Sequence, residues 1–280
     1  MKLVRYGEKG REKPGILDSD GNIRDLSVYV SDIAGDVLCP GGLERLRGID
    51  VSALPLIPKS TRLGVPVAGI GKIIGIAKNY AEHAAETGSL PPTEPMVFGK
   101  WLSSLNGPND PVEIPRNSKK TDWEVELGVV IGIGGKYIEE EDALSCVAGY
   151  CTVNDISERE FQSERGGQMA KGKGCDTFAP IGPWLVTTDE VPQPNNLRLW
   201  LEVDGQRRQN GTTADMIFKV PFLISYLSRM MSLNPGDIIC TGTPSGVGMG
   251  MKPPTFLRAG QTMRLEVEGL GQQCQKLIDG

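Results

Sequence analysis

Residues 124–133, Glu-Val-Glu-Leu-Gly-Val-Val-Ile-Gly-Ile, constrain the fold more than any other stretch of the chain. They open with apolar residues at alternate positions and continue apolar on both faces. That is the pattern of a strand that begins at a polar edge and runs into a core. Residues 2–6, 72–76, 146–153, 183–186, 197–203, 238–241 and 263–267 read as further strands. Residues 15–26 read as a hairpin that turns at Asp20-Gly21. Helical patterns are fewer: residues 41–49, 79–87 and 220–231, the last stopping before Asn234-Pro235-Gly236-Asp237. Strands dominate without regular βαβ alternation. The expected class is therefore α+β, strand-rich, with an antiparallel or mixed sheet and not a doubly wound one. Pro55, Pro58 and Pro66 make residues 54–66 an extended connector. This places a small N-terminal α+β domain over 1–66 and a larger domain over 67–280.

Composition narrows the chemistry. The 280 residues include one histidine, His83, so no multi-histidine or Cys₂His₂ zinc site is available. A bound divalent metal would have to be held by oxygen, which favours Mg²⁺, Mn²⁺ or Ca²⁺. The net charge of −5 argues against nucleic acid or an anionic membrane surface as a partner. No apolar run approaches the ~18 residues of a membrane span, and the first seven residues lack an apolar signal core. The six cysteines form no C-x-x-C pair, which suits a reducing cytoplasm. Neither a P-loop nor a Rossmann fingerprint is present. Gly132-Ile133-Gly134-Gly135 does follow a strand, but Lys136-Tyr137-Ile138 is expected to continue it as a hairpin. Cys175 and Cys240 make poor nucleophile candidates, since there is no second imidazole to activate them.

Four constellations carry chemistry. In a strand, Glu124 and Glu126 share a face. A bare Glu-x-Glu is most often a solvated strand face, but this one enters a core. A third carboxylate, Asp155, ends the apolar strand Val153-Asn154-Asp155. Three carboxylates that would repel each other are reconciled by a divalent cation. In Asn79-Tyr80-Ala81-Glu82-His83-Ala84-Ala85-Glu86, His83 and Glu86 lie three apart on one helix face. A carboxylate there fixes the imidazole tautomer and raises its basicity, as a general base requires. Lys100 follows Met96-Val97-Phe98, and Lys173 sits between Gly172 and Gly174. Last, residues 237–241 lead into Gly242-Thr243-Pro244-Ser245-Gly246, a loop suited to presenting hydroxyls and amides to a ligand.

These blocks, in this order over about residues 70–270, resemble the fumarylacetoacetate hydrolase family. The matching stretches include residues 74–86, Glu94-Pro95-Met96-Val97-Phe98-Gly99-Lys100, and 122–132. Residues 149–161, 173–186, 211–221 and 236–248 also match. The resemblance implies a mixed β-roll body, a bound Mg²⁺ or Mn²⁺, and a homodimer or homotetramer. Carried over by position, Glu124, Glu126 and Asp155 match the metal ligands. His83 and Glu86 match a base dyad on a lid helix, with Lys173 beside the reacting centre. Lys100, Gln162 and Thr243 match pocket positions. The layout looks closest to a bacterial branch containing 2,4-diketo-3-deoxy-sugar-acid hydrolases, whose relatives are often labelled ureidoglycolate lyase. The implied reaction is metal-dependent hydrolysis of the C3–C4 bond of a 2,4-diketo acid, with 2,4-diketo-3-deoxy-L-rhamnonate giving pyruvate and lactate. The alternatives are acylpyruvate hydrolysis, oxaloacetate decarboxylation, or dehydration or isomerisation of a related 2-keto acid. A binding protein without turnover would not need the His83–Glu86 pair. Lys78, Gly99 and Trp101-Leu102 depart from the commoner family pattern, and Lys78 adds a positive charge suited to a carboxylate or polyhydroxylated acid.

Overall fold

The computed structural model describes residues 1–280. In chain order the first nine strands are β1 (Lys2–Tyr6), β2 (Lys13–Leu17), β3 (Ile23–Asp25), β4 (Leu56–Ile57), β5 (Ile73–Ala77), β6 (Met96–Lys100), β7 (Leu105–Asn106), β8 (Val112–Ile114) and β9 (Thr121–Asp122). The remainder are β10 (Val125–Ile131), β11 (Val147–Asn154), β12 (Ser157–Glu158), β13 (Ala179–Thr187), β14 (Arg198–Val203), β15 (Gln206–Thr212), β16 (Ile238–Cys240), β17 (Thr262–Val267) and β18 (Gln272–Asp279). The α-helices are α1 (Pro40–Arg47), α2 (Ala81–Glu86), α3 (Met169–Lys173) and α4 (Val220–Met230).

The chain forms two large sheets, as the strand-rich α+β reading expects. The larger runs β4-β3-β2-β1-β13-β11-β10-β16-β5-β6, with β7 attached to β13. It is mixed: β16 pairs β5 in parallel, while β10 pairs both β11 and β16 antiparallel. The second sheet runs β15-β14-β17-β18-β8. The strands of residues 1–57 extend the larger sheet through β1 beside β13.

β10 explains the layering. Val125, Leu127, Val129 and Ile131 point into the larger apolar cluster, shared with β14, β17 and α4. Val130 points the other way, into the cluster beneath α1. The strand is buried from end to end. Each such side chain contributes roughly 1.5–3 kcal/mol relative to exposure, which offsets the cost of carrying Glu126 into the interior. Glu124 and Glu126 belong to the even face, at the end of β10 that adjoins Asp155. A bulge between Tyr150 and Thr152 shifts the β11 register on β13, re-aiming the end of β11 that leads to Asp155.

One expectation needs correcting. Lys136-Tyr137-Ile138 does not continue β10 as a hairpin. Gly135 instead bridges Leu233. The Tyr137 and Ile138 amides donate to the Ser228 carbonyl and hydroxyl near the end of α4. The acceptors offered by the helix end, with their attached apolar contacts, outcompete a strand partner. No helix of the chain is long and apolar enough to cross a membrane.

Candidate active site

The carboxylates converge where β10 starts and β11 ends. The Asp155 amide donates to the Glu124 carbonyl at 2.8 Å, clamping the two backbones together. Oxygens of Glu124, Glu126 and Asp155 lie within 4.8 Å of one another, and all three side chains are buried. An all-oxygen, triply anionic donor set with no imidazole or thiolate fits a hard divalent cation such as Mg²⁺ or Mn²⁺.

Cations interleave with these acids. Lys173 Nζ lies 2.6 Å from Glu124 Oε2 and 2.7 Å from Asp155 Oδ2. Lys100 Nζ donates to Asp155 Oδ1 at 2.5 Å and to the Ile156 carbonyl. Arg159 pairs with Glu124 Oε1 at 2.7 Å and donates from Nε to Asp122 Oδ2 at 2.9 Å. Burial opposes ionisation of Glu124, but Lys173 and Arg159 outweigh it and hold its carboxyl below the usual range. Glu126 has no such cation within ion-pair distance. Burial, then Asp155 and Glu124, push its carboxyl well above the usual range. Burial works against the Lys173 ammonium, yet Asp155 and Glu124 raise its pKa. A divalent ion among the three acids would reverse this balance for Glu126.

The second half of the site is α2. It is short, from Ala81 to Glu86, and begins just past Asn79. The Asn79 amide donates to the Phe218 and Thr241 carbonyls and accepts from the Phe218 amide. That anchor fixes where the helix starts. His83 Nδ1 lies 2.8 Å from Glu86 Oε1. A carboxylate only accepts, so the network assigns a proton to Nδ1, and in the neutral imidazole the lone pair is then on Nε2. Glu86 Oε2 accepts from the Gly246 amide at 2.9 Å, and Glu126 Oε2 from the Gly242 amide at 2.8 Å. One loop therefore holds both an acid of the triad and the partner of the imidazole. Gly246 has φ +104°, and a Cβ there would stand 2.1 Å from the Arg208 carbonyl. Only glycine fits the approach of this loop to β15.

A cavity of about 420 Å³ opens between the two halves. Glu124, Glu126, Lys173, His83, Lys78, Gln162 and Thr243 all line it. Glu86, Asp155 and Lys100 stand one layer behind, so Lys100 reaches the site through Asp155 and not through the cavity wall. Lys78 adopts φ 57° and donates to Ser89 Oγ at 2.7 Å. Gln162 lies in a π-helical turn spanning Glu160–Glu164 and accepts from Arg159. Sequence reasoning missed Arg159, Asp122 and that turn. The sequence carries no signal for Arg159, which sits in the polar run Ser157-Glu158-Arg159-Glu160. Cys240 is fully buried, and Cys175 points its thiol at the Lys171 carbonyl.

The family model described as "Fumarylacetoacetate (FAA) hydrolase C-terminal" matches residues 72–278. A Burkholderia cenocepacia (strain HI2424) protein, named provisionally as a hydrolase, is 63% identical over 280 residues, covering 100% of this chain and 99% of that protein. The structure is similar to maleylpyruvate hydrolase from Sphingobium sp. SYK-6 in complex with manganese(II) ion and pyruvate. That match has 29% identity and TM-score 0.84, with full coverage of both chains. It is also similar to 5-carboxymethyl-2-hydroxymuconate delta-isomerase from Mycobacterium smegmatis, at 30% identity and TM-score 0.79, covering 100% of this chain and 99% of that one. With more than half its length matched by the family model and a site of this composition at its centre, the chain belongs to the fumarylacetoacetate hydrolase family of enzymes.

Proposed function

We propose that this protein is a divalent-metal-dependent hydrolase that cleaves the C3–C4 bond of a 2,4-diketo acid and releases pyruvate. The observation that carries the reading is one cavity lined by Glu124, Glu126 and an imidazole whose Nε2 is free to take a proton. Glu124, Glu126 and Asp155 would hold the cation, which supplies positive charge at the 2-keto end of the substrate. His83, oriented by Glu86, removes a proton from water at Nε2. The hydroxide adds to C4. As the C4 carbonyl re-forms, the C3–C4 bond breaks and its electron pair goes to C3. The pyruvate enolate that results is protonated at C3. Lys173 keeps an ammonium beside the acids and favours the developing enolate charge.

The solved relative carrying manganese(II) and pyruvate supports both the metal and the pyruvate end. Within the class, the branch resemblance nominates 2,4-diketo-3-deoxy-L-rhamnonate, with lactate as the second product, and a homodimer or homotetramer as the working form. The likeness to an isomerase favours one second reading, rearrangement of a related 2-keto acid without cleavage. Mg²⁺- or Mn²⁺-loaded protein is incubated with 2,4-diketo-3-deoxy-L-rhamnonate, acylpyruvates and oxaloacetate, and pyruvate is read with a coupled lactate dehydrogenase assay. Pyruvate with an equimolar second acid supports hydrolysis. Pyruvate from oxaloacetate alone supports decarboxylation, and none from any of them leaves isomerisation. His83→Ala should cost about 10²–10⁴-fold in turnover, and near-wild-type turnover would remove the dyad from the mechanism.

A further inference from the structure

β15 is an edge strand in which six of seven residues face solvent or its margin. Gln209 alone is fully buried. An uncharged amide this deep needs its hydrogen-bonding capacity met, and its partners come from two other elements. The Val125 amide donates to Gln209 Oε1 at 2.9 Å. Gln209 Nε2 donates to Thr243 Oγ1 at 2.7 Å and to the Pro244 carbonyl at 2.9 Å. Thr243 Oγ1 donates in turn to the Val125 carbonyl at 2.9 Å. The partners fix the orientation of the amide, since Val125 N–H requires an acceptor and Pro244 O a donor.

The three residues therefore close a hydrogen-bonded ring through both backbone polar groups of Val125. Val125 lies between Glu124 and Glu126. Thr243 lies between Gly242, whose amide holds Glu126, and Gly246, whose amide holds Glu86. Ser245 of the same loop donates to Glu82 on α2 at 3.1 Å. We infer that Gln209 is a positioning residue which, through this ring, registers the His83–Glu86 dyad against the Glu124–Glu126 acids. It touches neither the cavity nor the reacting atoms. The inference rests on the cation and dyad roles proposed above. It adds that their mutual placement is set from the second sheet, by a residue in the polar run Gln206-Arg207-Arg208-Gln209-Asn210.

Gln209→Met keeps shape and removes the ring, leaving Val125 N–H and Pro244 O without partners. Gln209→Asn keeps an amide but shortens its reach. Leu201→Ala, at the β14 position paired with Gln209, is the control for plain destabilisation. Two readouts need no turnover: Mn²⁺ affinity by calorimetry, and hydrogen exchange of segments 81–86 and 242–246. In Gln209→Met, exchange of both segments should accelerate about tenfold or more, and Mn²⁺ binding should weaken about tenfold. Gln209→Asn should fall between it and wild type, and Leu201→Ala should lower the melting temperature while changing neither readout. With an active substrate, kcat for Gln209→Met should drop about 10- to 100-fold with KM within about threefold, as misplacement of reacting groups by an ångström does. Wild-type exchange and Mn²⁺ affinity in both Gln209 variants would overturn the inference, as would equal changes in Leu201→Ala. If wild type cleaves no 2,4-diketo acid, the proposed reaction fails while exchange and Mn²⁺ affinity still decide the role of Gln209.

Discussion

Replacing Lys173 by methionine removes the ammonium that lies 2.6 Å from Glu124 and 2.7 Å from Asp155. Methionine has similar length and no charge, so the packing survives and the electrostatics do not. Removing one partner of a buried ion pair costs about 3–5 kcal/mol, because the remaining charge is stranded away from water. Here Glu124 keeps Arg159 and Asp155 keeps Lys100, so each of the two acids loses one of its two cations while the third, Glu126, stands beside them. At roughly 2.1 cal/mol/K of unfolding entropy per residue over 280 residues, that loss lowers the melting temperature by about 5–8 °C. A divalent cation can take the place of the missing charge among the same acids. Chelator-treated Lys173→Met should therefore melt 5–8 °C below chelator-treated wild type, within the range estimated from these costs. Saturating Mn²⁺ should raise its melting temperature by more than it raises that of wild type. Differential scanning calorimetry with and without metal reads both effects. A variant that melts within about 2 °C of wild type in chelator, or that gains no more from Mn²⁺ than wild type does, would refute the charge argument.

Other outcomes follow from the same geometry. Glu126→Ala should weaken Mg²⁺ binding at least about tenfold by calorimetry, since the metal loses an anionic ligand; unchanged affinity would sink the ligand assignment. Gly246→Ala forces a side chain into a positive φ and against the Arg208 carbonyl. It should cost roughly 2–4 kcal/mol in stability and lower turnover through Glu86; an unaltered melt and rate would contradict the close approach. Burial, its largest cause, pushes the Cys175 thiol up to about 11, with nearby Lys100 pulling the other way. At pH 7.5 its thiolate fraction is about 300-fold below that of a free thiol of ordinary pKa near 8.5, so alkylation by iodoacetamide, followed by peptide mass spectrometry, should be slower by up to about 300-fold.

Much of the body was legible because burial there is periodic. Val125, Leu127, Val129 and Ile131 announce a core strand in any context, and Glu124 and Glu126 stand out against them. The His83–Glu86 contact follows from helical spacing alone, and it forms at 2.8 Å. Residues 136–138 misled because a tyrosine and an isoleucine after a glycine pair look the same whether they meet a strand or the end of a helix. Lys100 was recognisable as unusual after an apolar run. Its target was not, since the β5–β6 pairing and the Asp155 turn come together only in three dimensions. Arg159 and Gln209 were invisible for a related reason. Each sits in a polar run whose burial is imposed by elements distant in sequence, and only the closed hydrogen-bond network shows why a polar residue is required.

The most direct test of the central claim is cleavage in H₂¹⁸O, with the products analysed by mass spectrometry. If His83 activates water to attack C4, the second acid gains one labelled oxygen in its new carboxylate for each pyruvate released. Pyruvate formed without a labelled partner acid, or a labelled substrate that isomerises and never divides, would contradict hydrolysis at this site.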